Sequence, residues 1–470
     1  MAKERKNIQR GCWSSNQGFI LAAAGSAVGL GTIWKFPGKA YTGGGGIFCL
    51  LYLLVTLLLG LVLMLGEFAV GRAAQKNCVA AFRHLRKGWA WVGFLGVFSS
   101  LIVMLYYAEV GGWVLAYVIA YLREPELVFA DPSAYFAELT GQGEGFPWEG
   151  ALLFPLIFML LTAFVLSGGV RGGIEKFNAL AMPLLLLFLF VLAFATLSLP
   201  GAEEGLRFLF SVDFSKLNAS TLLSALGQCF FSLSLGMSVM VTYGSYLSSG
   251  ENLLRSVWAI TGLDTLVAFL SAAIVVPAVF ATPQISMGEG GSFTFTALAT
   301  VFSGMPGGVY AGLLFYILLF FAALTSSVSL MEAIVSFLSE EWGLPRRLAI
   351  RSSTALIFLL GMAYTLSYGG SAAALPLRFF WFDSGGVYPV SLAEFIELLA
   401  DRLAIPLAAL ASCLFVGWVW GTDSACREIR QQGKFSFSWA GLWSFLIKYL
   451  APPAIACILL GGLFFGLSLS

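Results

Sequence analysis

About eleven apolar segments, each near the 20 residues that a helix needs to cross a bilayer, follow one another along this chain. They begin near Gly18, Gly46, Ala90, Ala151, Ile174, Thr221, Ser256, Val309, Leu348, Pro389 and Leu442. Hydrocarbon offers a backbone amide no partner, so such segments must be helices that satisfy their own hydrogen bonds. An all-α polytopic membrane protein is expected. Composition agrees, because 59% of the 470 residues are hydrophobic and only 11% charged, with a mean hydropathy of +0.88. The loops are mostly short and none has the composition of a linker, so residues 1–470 read as one membrane domain.

A formal net charge of +1 argues against a nucleic-acid partner, since affinity for phosphate backbones needs a concentrated basic surface. The placement of the charges is more telling. Lys3, Arg5, Lys6 and Arg10 precede the first segment, and Arg72, Lys76, Arg83, Arg86 and Lys87 follow the second. Alternate later loops carry Arg171, Lys176, Arg255, Arg346, Arg347, Arg351, Arg427, Arg430 and Lys434, while the intervening loops are acidic or poor in charge. The positive-inside rule then puts the N-terminus in the cytoplasm and, with an odd number of spans, the C-terminus outside, as in a bacterial inner membrane. The seven cysteines are scattered without a CxxC, and the one histidine, His84, sits in a basic loop. No nucleophile elbow, phosphate loop or zinc motif is present, so nothing points to an enzyme. The Asn218-Ala-Ser220 triplet carries no inference.

Residues 25–37, GSAVGLGTIWKFP, interrupt the first apolar segment with three glycines and a serine. An unwound stretch survives at membrane depth only when it is buried in protein or lines a cavity. The sixth segment, GQCFFSLSLGMSVMVTYGSYL from Gly227, is interrupted in the same way by Ser232, Ser234, Gly236 and Ser238. One such cluster is as easily a site of close helix packing. Two clusters, at the first and sixth positions, are what an inverted repeat of five helices (1–5 and 6–10) predicts, with the cargo held where the repeats meet.

These two stretches, the GGGGIF after the first and FFAALTSSVSLMEAIVSFLSEE in the eighth segment, together resemble the neurotransmitter:sodium symporter family. The likeness runs from Arg10 into the eleventh segment and is nearest in look to bacterial symporters of hydrophobic amino acids and tryptophan. It implies unwound first and sixth helices, two sodium ions and alternating access. By this resemblance one sodium site takes the carbonyls of Gly25, Val28 and Ala322 with the hydroxyls of Thr325 and Ser326. Buried hydroxyls of this kind also commonly bond back to the preceding turn. The second site takes the Ala27 carbonyl and Ser232, with Thr32 and Asp264 at two positions where the family usually has asparagine. A carboxylate at mid-membrane costs about 2.5 to 3.5 kcal/mol, so Asp264 needs a partner, either an ion or a water pocket at its helix end.

Many animal relatives bind chloride at positions that match Tyr52, Gln228 and Ser232. A fixed negative charge at Asp264 would repel a bound anion, so chloride-independent transport is expected. Monoamine carriers have an aspartate where Gly29 stands here, and glycine is expected to leave that space open for an amino acid's own carboxylate. The carboxylate would rest on the amides of Leu30 and Gly31 and take a bond from Tyr107, with the ammonium near the carbonyls of Ala27, Phe231 and Ser234. Val103, Val110, Phe231, Ser234, Met237, Ser327 and Leu330 would set side-chain specificity, and their uncharged character favours hydrophobic substrates.

The resemblance also implies gates. Lys35 would pair with Glu397 or Asp401 outside. Arg10 and Trp13 would close against Glu340 inside, and Phe231 with Tyr107 would cover the substrate. Gly173 and Pro183 mark a place where the fifth helix either unwinds or kinks. Glu67, Glu109 and Glu332 are acids in or near spans that would serve a proton path, so proton coupling is an alternative to sodium, and a channel a more distant one. The oligomeric state is not legible.

Overall fold

A computed structural model describes residues 11–142, 148–282, 292–368, 377–381 and 386–464. Nine helices among the described residues are long and apolar enough to cross a membrane: Gly46–Ala74, Ala90–Arg123, Glu149–Ser167, Val170–Leu197, Leu253–Phe280, Gly308–Glu341, Arg346–Tyr368, Leu392–Val419 and Ala440–Leu463. The bent pair Asn16–Ala27 and Gly31–Thr42 makes a tenth. The sixth expected span is present as Ala219–Ser232 and Val239–Gly244. Neither piece is long enough to cross alone, so its break accounts for the difference from eleven. Numbered in chain order, the spans broken are the first and the sixth.

The expectation of an all-helical chain holds for every span, with one addition. Leu377–Trp381 and Gly386–Val390 pair antiparallel ahead of the tenth span, with Leu377 opposite Val390 and Arg378 opposite Pro389. Pro389, expected to open the tenth span, therefore belongs to a strand. A proline has no N–H for a ladder but is tolerated in an edge position, and the helix starts at Leu392 behind a Ser391–Glu394 capping box.

The longest helices, the third and eighth spans, have 34 residues each and pack along one another. At 1.5 Å per residue each extends about 50 Å, more than the hydrocarbon thickness. Both are buried along most of their middles, so they form the scaffold against which the broken spans lie. The fifth span shows how a membrane helix divides its faces. Ala181, Met182, Leu185, Leu189 and Leu192 are buried, while Leu180, Leu187, Phe190 and Phe194 are exposed. In lipid, the apolar side chains of the exposed face meet a solvent as apolar as themselves, so they need no protein cover.

Several spans carry a π-helical turn, among them Thr56–Gly60 in the second, Val170–Glu175 in the fifth and Leu399–Ala404 in the tenth. Such turns insert a residue into the helical count and are frequent near functional sites. In the fifth span the stretch after Gly173 is wound, and Pro183 lies inside the continuous helix Lys176–Leu197.

Candidate functional site: two polar clusters around a broken helix

The first span stops being α-helical where its glycines fall. The Val28 N–H still donates to Ala24 (2.7 Å), but the Gly29 N–H turns back to Ala27 (2.8 Å), and the chain resumes at Gly31 with a bend of 53°. Neighbouring side chains take up the backbone groups that the break releases. Tyr107 of the third span accepts from the Leu30 N–H at 3.0 Å, and Gln228 of the sixth donates to the Gly31 carbonyl at 2.9 Å. Exposed N–H and C=O groups cannot be left in hydrocarbon, so these contacts let the break exist.

The sixth span breaks over residues 233–238, where Ser234, Gly236 and Ser238 have φ of 51°, 74° and 59°. Glu67 of the second span accepts from the Gly236 N–H at 3.1 Å. The hydroxyl of Ser234 donates to the Ser26 carbonyl at 3.0 Å, and that of Ser238 to the Gly93 carbonyl at 3.3 Å. The two breaks are thus bonded to each other through Ser26 and Ser234.

A first polar cluster lies between the first and eighth spans. Ser326 Oγ donates toward the carbonyls of Gly25 (3.3 Å) and Ser26 (3.1 Å). Thr325 Oγ1 bonds back to the Ala322 carbonyl at 3.0 Å, the ordinary fate of a helical threonine. Gly25, Val28, Ala322, Thr325 and Ser326 are all buried here. Ser329 joins them by a 2.6 Å hydroxyl contact to Ser26. This serine stands one turn after Ser326, a spacing that sets it on the same helix face.

The second cluster is centred on Asp264, which is fully buried near the middle of the seventh span. Its carboxylate accepts from Thr32 (3.0 Å), Ser232 (2.8 Å) and Tyr52 (2.9 Å), and Thr32 Oγ1 also lies 3.0 Å from the Ala27 carbonyl. The partner that the sequence demanded is therefore a set of three hydroxyls from the first, sixth and second spans. An acid reaching a loop or water pocket at the helix end does not fit these contacts. The two positions that depart from the family pattern, Thr32 and Asp264, bond directly to each other.

In the third span Val103, Tyr107 and Val110 share one face at i, i+4 and i+7, all buried, and Met237 and Leu330 are buried as well. Phe231 is half-buried. Ser327 is engaged elsewhere, with its hydroxyl 2.9 Å from Thr162 of the fourth span and donating to the Leu324 carbonyl. The open space expected beside Gly29 is corrected. A Cβ built there would meet Ser326 Oγ at 2.5 Å and Tyr107 Oη at 2.9 Å, so two hydroxyls face the glycine closely.

Lys35 chooses between its two candidate acids. Its Nζ lies 3.3 Å from Asp401 and 4.3 Å from the centre of the Phe231 ring. Tyr106 also donates to Asp401 at 3.3 Å, whereas Glu397 accepts from Tyr364. At the other end, the Trp13 indole donates to the Tyr243 carbonyl at 3.1 Å and packs edge-on against Tyr243 and Tyr246. Glu340 accepts from the backbone and side chain of Asn77. Arg10 lies outside the described residues. Of the remaining acids, Glu332 is bound by Arg346 at 2.6 Å and by Tyr246 at 2.7 Å, and Glu109 by Thr365 at 2.6 Å.

A helical membrane bundle with breaks in its first and sixth spans, both at one buried polar region, has the architecture of a secondary transporter. Comparison with known proteins gives the family. The chain belongs to the sodium:neurotransmitter symporter family, whose model matches residues 10–138 and 128–465. It is 36% identical over 461 residues to the uncharacterized sodium-dependent transporter YhdH of Bacillus subtilis (strain 168), covering 97% of this chain and 98% of that one. It is 25% identical over 485 residues to the sodium-dependent serotonin transporter of Drosophila melanogaster, covering 93% and 74%. The crystal structure of MhsT in complex with L-phenylalanine superimposes with a TM-score of 0.85 at 34% identity, covering 96% of this chain and all of that one. The protein is accordingly a sodium-dependent, multi-pass membrane transporter and not an enzyme.

Proposed function

We propose that the protein is a single-domain symporter that imports hydrophobic L-amino acids by alternating access, driven by two sodium ions and independent of chloride. The observation that carries this reading is the pair of oxygen clusters on either side of the broken first span. Sodium is a hard cation that prefers several oxygen ligands. One cluster offers the carbonyls of Gly25, Val28 and Ala322 with the hydroxyls of Thr325 and Ser326, and the other the Ala27 carbonyl with Thr32, Ser232 and Asp264. The Asp264 carboxylate occupies the hydroxyl donors of Tyr52 and Ser232 that a chloride ion would need, which supports chloride independence.

The substrate's carboxylate would lie at the Leu30 and Gly31 amides, displacing the bond between Leu30 and Tyr107 and taking one from Tyr107 in its place. Val103, Val110, Phe231, Met237 and Leu330 would enclose its side chain. The L-phenylalanine bound by MhsT supports the hydrophobic class. Lys35 with Asp401 would form the outer gate, and Trp13 with Arg10 and Glu340 the cytoplasmic one. The N-terminus would then be cytoplasmic, as the distribution of Lys and Arg favours, and the C-terminus external.

Proton coupling is the second reading. It is favoured by Glu67 and Glu109, each of which has one buried oxygen without a hydrogen-bond partner among the described residues, leaving room for a proton. One experiment tests both. Proteoliposomes loaded to give either an inward sodium gradient or an inward proton gradient should accumulate labelled phenylalanine, tryptophan or leucine only with sodium, and equally in chloride or gluconate. Accumulation driven by the proton gradient alone would establish the second reading, and flux indifferent to both gradients would refute symport.

A further inference from the structure

Asn178 lies in the fifth span, fully buried, one turn beyond Glu175. Its Nδ2 donates to the Ile174 carbonyl at 2.9 Å, which fixes the amide's orientation. Its Oδ1 accepts no hydrogen bond from any described residue. A buried acceptor left without a donor costs about 1 to 3 kcal/mol, so an oxygen held in this way calls for a partner of another kind.

The direction in which Oδ1 points supplies one. A Cβ built on Gly25 would collide with Asn178 Oδ1, and the same point lies 3.3 Å from Thr325 Cβ. The amide oxygen therefore stands where the first, fifth and eighth spans meet, beside the cluster of Gly25, Thr325 and Ser326. Glycine at position 25 is needed for this approach, since any side chain there would push the oxygen away. The cluster read above as a sodium site offers five oxygens, and hard cations commonly take six or more.

We propose that Asn178 Oδ1 is a further ligand of the sodium ion held between the first and eighth spans, supplied from the fifth. This rests on the sodium reading of that cluster. It gives the ion contact with three spans instead of two. Binding then draws the fifth span against the first, and loss of the ion leaves the amide oxygen unpartnered and the fifth span free to move away.

The test is a sodium titration of thermal stability on the purified full-length protein, without substrate and with choline replacing sodium. Asn178→Leu keeps the shape of the side chain and removes the acceptor, whereas Asn178→Asp keeps an oxygen in place. Both lose the bond to Ile174, so their difference isolates Oδ1. Asn178→Leu should raise the half-saturating sodium concentration about tenfold, the worth of one good hydrogen-bonding contact, and Asn178→Asp, which keeps the oxygen and adds charge to it, should bind sodium at least as tightly as the native protein. Thr325→Ala is the control for the cluster and should also weaken sodium binding. Native-like sodium binding by Asn178→Leu, with Thr325→Ala impaired, would overturn the ligand role and leave the cluster intact. Equal weakening by Leu and Asp would assign Asn178 to packing and likewise overturn it. No effect from either Leu or Thr325→Ala would overturn the sodium reading of the cluster itself. If Asn178→Leu does not fold, Asn178→Ala replaces it with the same expected outcomes.

Discussion

Substituting Asp264 by asparagine tests the chemistry of the second cluster most directly. The side chain is fully buried and, among the described residues, has three hydroxyl partners but no cationic one. A carboxylate at this depth costs about 2.5 to 3.5 kcal/mol on the insertion scale, and a sodium ion beside it would recover much of that. Asparagine has no charge to neutralise, so sodium binding loses the recovered part. The hydroxyls already stabilise the carboxylate through charge-assisted bonds, which offset part of that cost before an ion arrives. The net loss should therefore fall below the full figure, at about 1.5 to 3 kcal/mol, or roughly 10- to 100-fold in sodium affinity. Asparagine also frees the Tyr52 and Ser232 hydroxyls to meet an anion, so chloride should now stimulate uptake. The assay is labelled phenylalanine uptake by proteoliposomes as a function of sodium, in chloride and in gluconate. Half-saturation within threefold of native, together with no response to chloride, would refute the reasoning.

Three other outcomes are expected. Lys35→Ala and Asp401→Asn should each speed substrate dissociation a few-fold with a coupling energy of about 0.5 to 1 kcal/mol in a double-mutant cycle, whereas Glu397→Gln should show no coupling to Lys35; stopped-flow release of phenylalanine measures this. Removing Arg346 leaves the fully buried Glu332 carboxylate with only Tyr246 among the described residues, so Arg346→Ala should lower stability by about 3 kcal/mol and a paired Arg346→Met/Glu332→Met variant should regain most of it; thermal unfolding in detergent is the readout. Tyr107→Phe removes the hydroxyl that would donate to the substrate's carboxylate and should weaken phenylalanine binding about tenfold at saturating sodium, measured by equilibrium binding.

Much of this arrangement can be read from residue types alone. Glycines and serines at membrane depth mark both broken spans, because they weaken the helix in an otherwise apolar run and let the backbone turn. An acid and a threonine at the two departing positions announce a polar centre, because a buried carboxylate must find donors. The partner of Lys35 could not be read, for a geometric reason. Glu397 and Asp401 stand four residues apart, one turn on the same helix face, so spacing leaves them equally placed and only the packing of Lys35 beside Asp401 separates them. Asn178 and Ser329 look ordinary in sequence, since their roles depend on which helix each one faces. The space beside Gly29 was misjudged because the crowding comes from Ser326 and Tyr107, both remote in the chain.

The left-handed serines at the sixth break suggest a trade between durability and communication. Glycine would adopt those angles with less strain, by about 1 kcal/mol at each position. Serine is present instead, and each hydroxyl reaches a carbonyl of another span, Ser26 for Ser234 and Gly93 for Ser238. Ser238→Gly should consequently yield a carrier that withstands heat better yet transmits movement between its sixth and third spans less faithfully. In engineering terms, the position is a dial on which ruggedness and transport efficiency are set against each other.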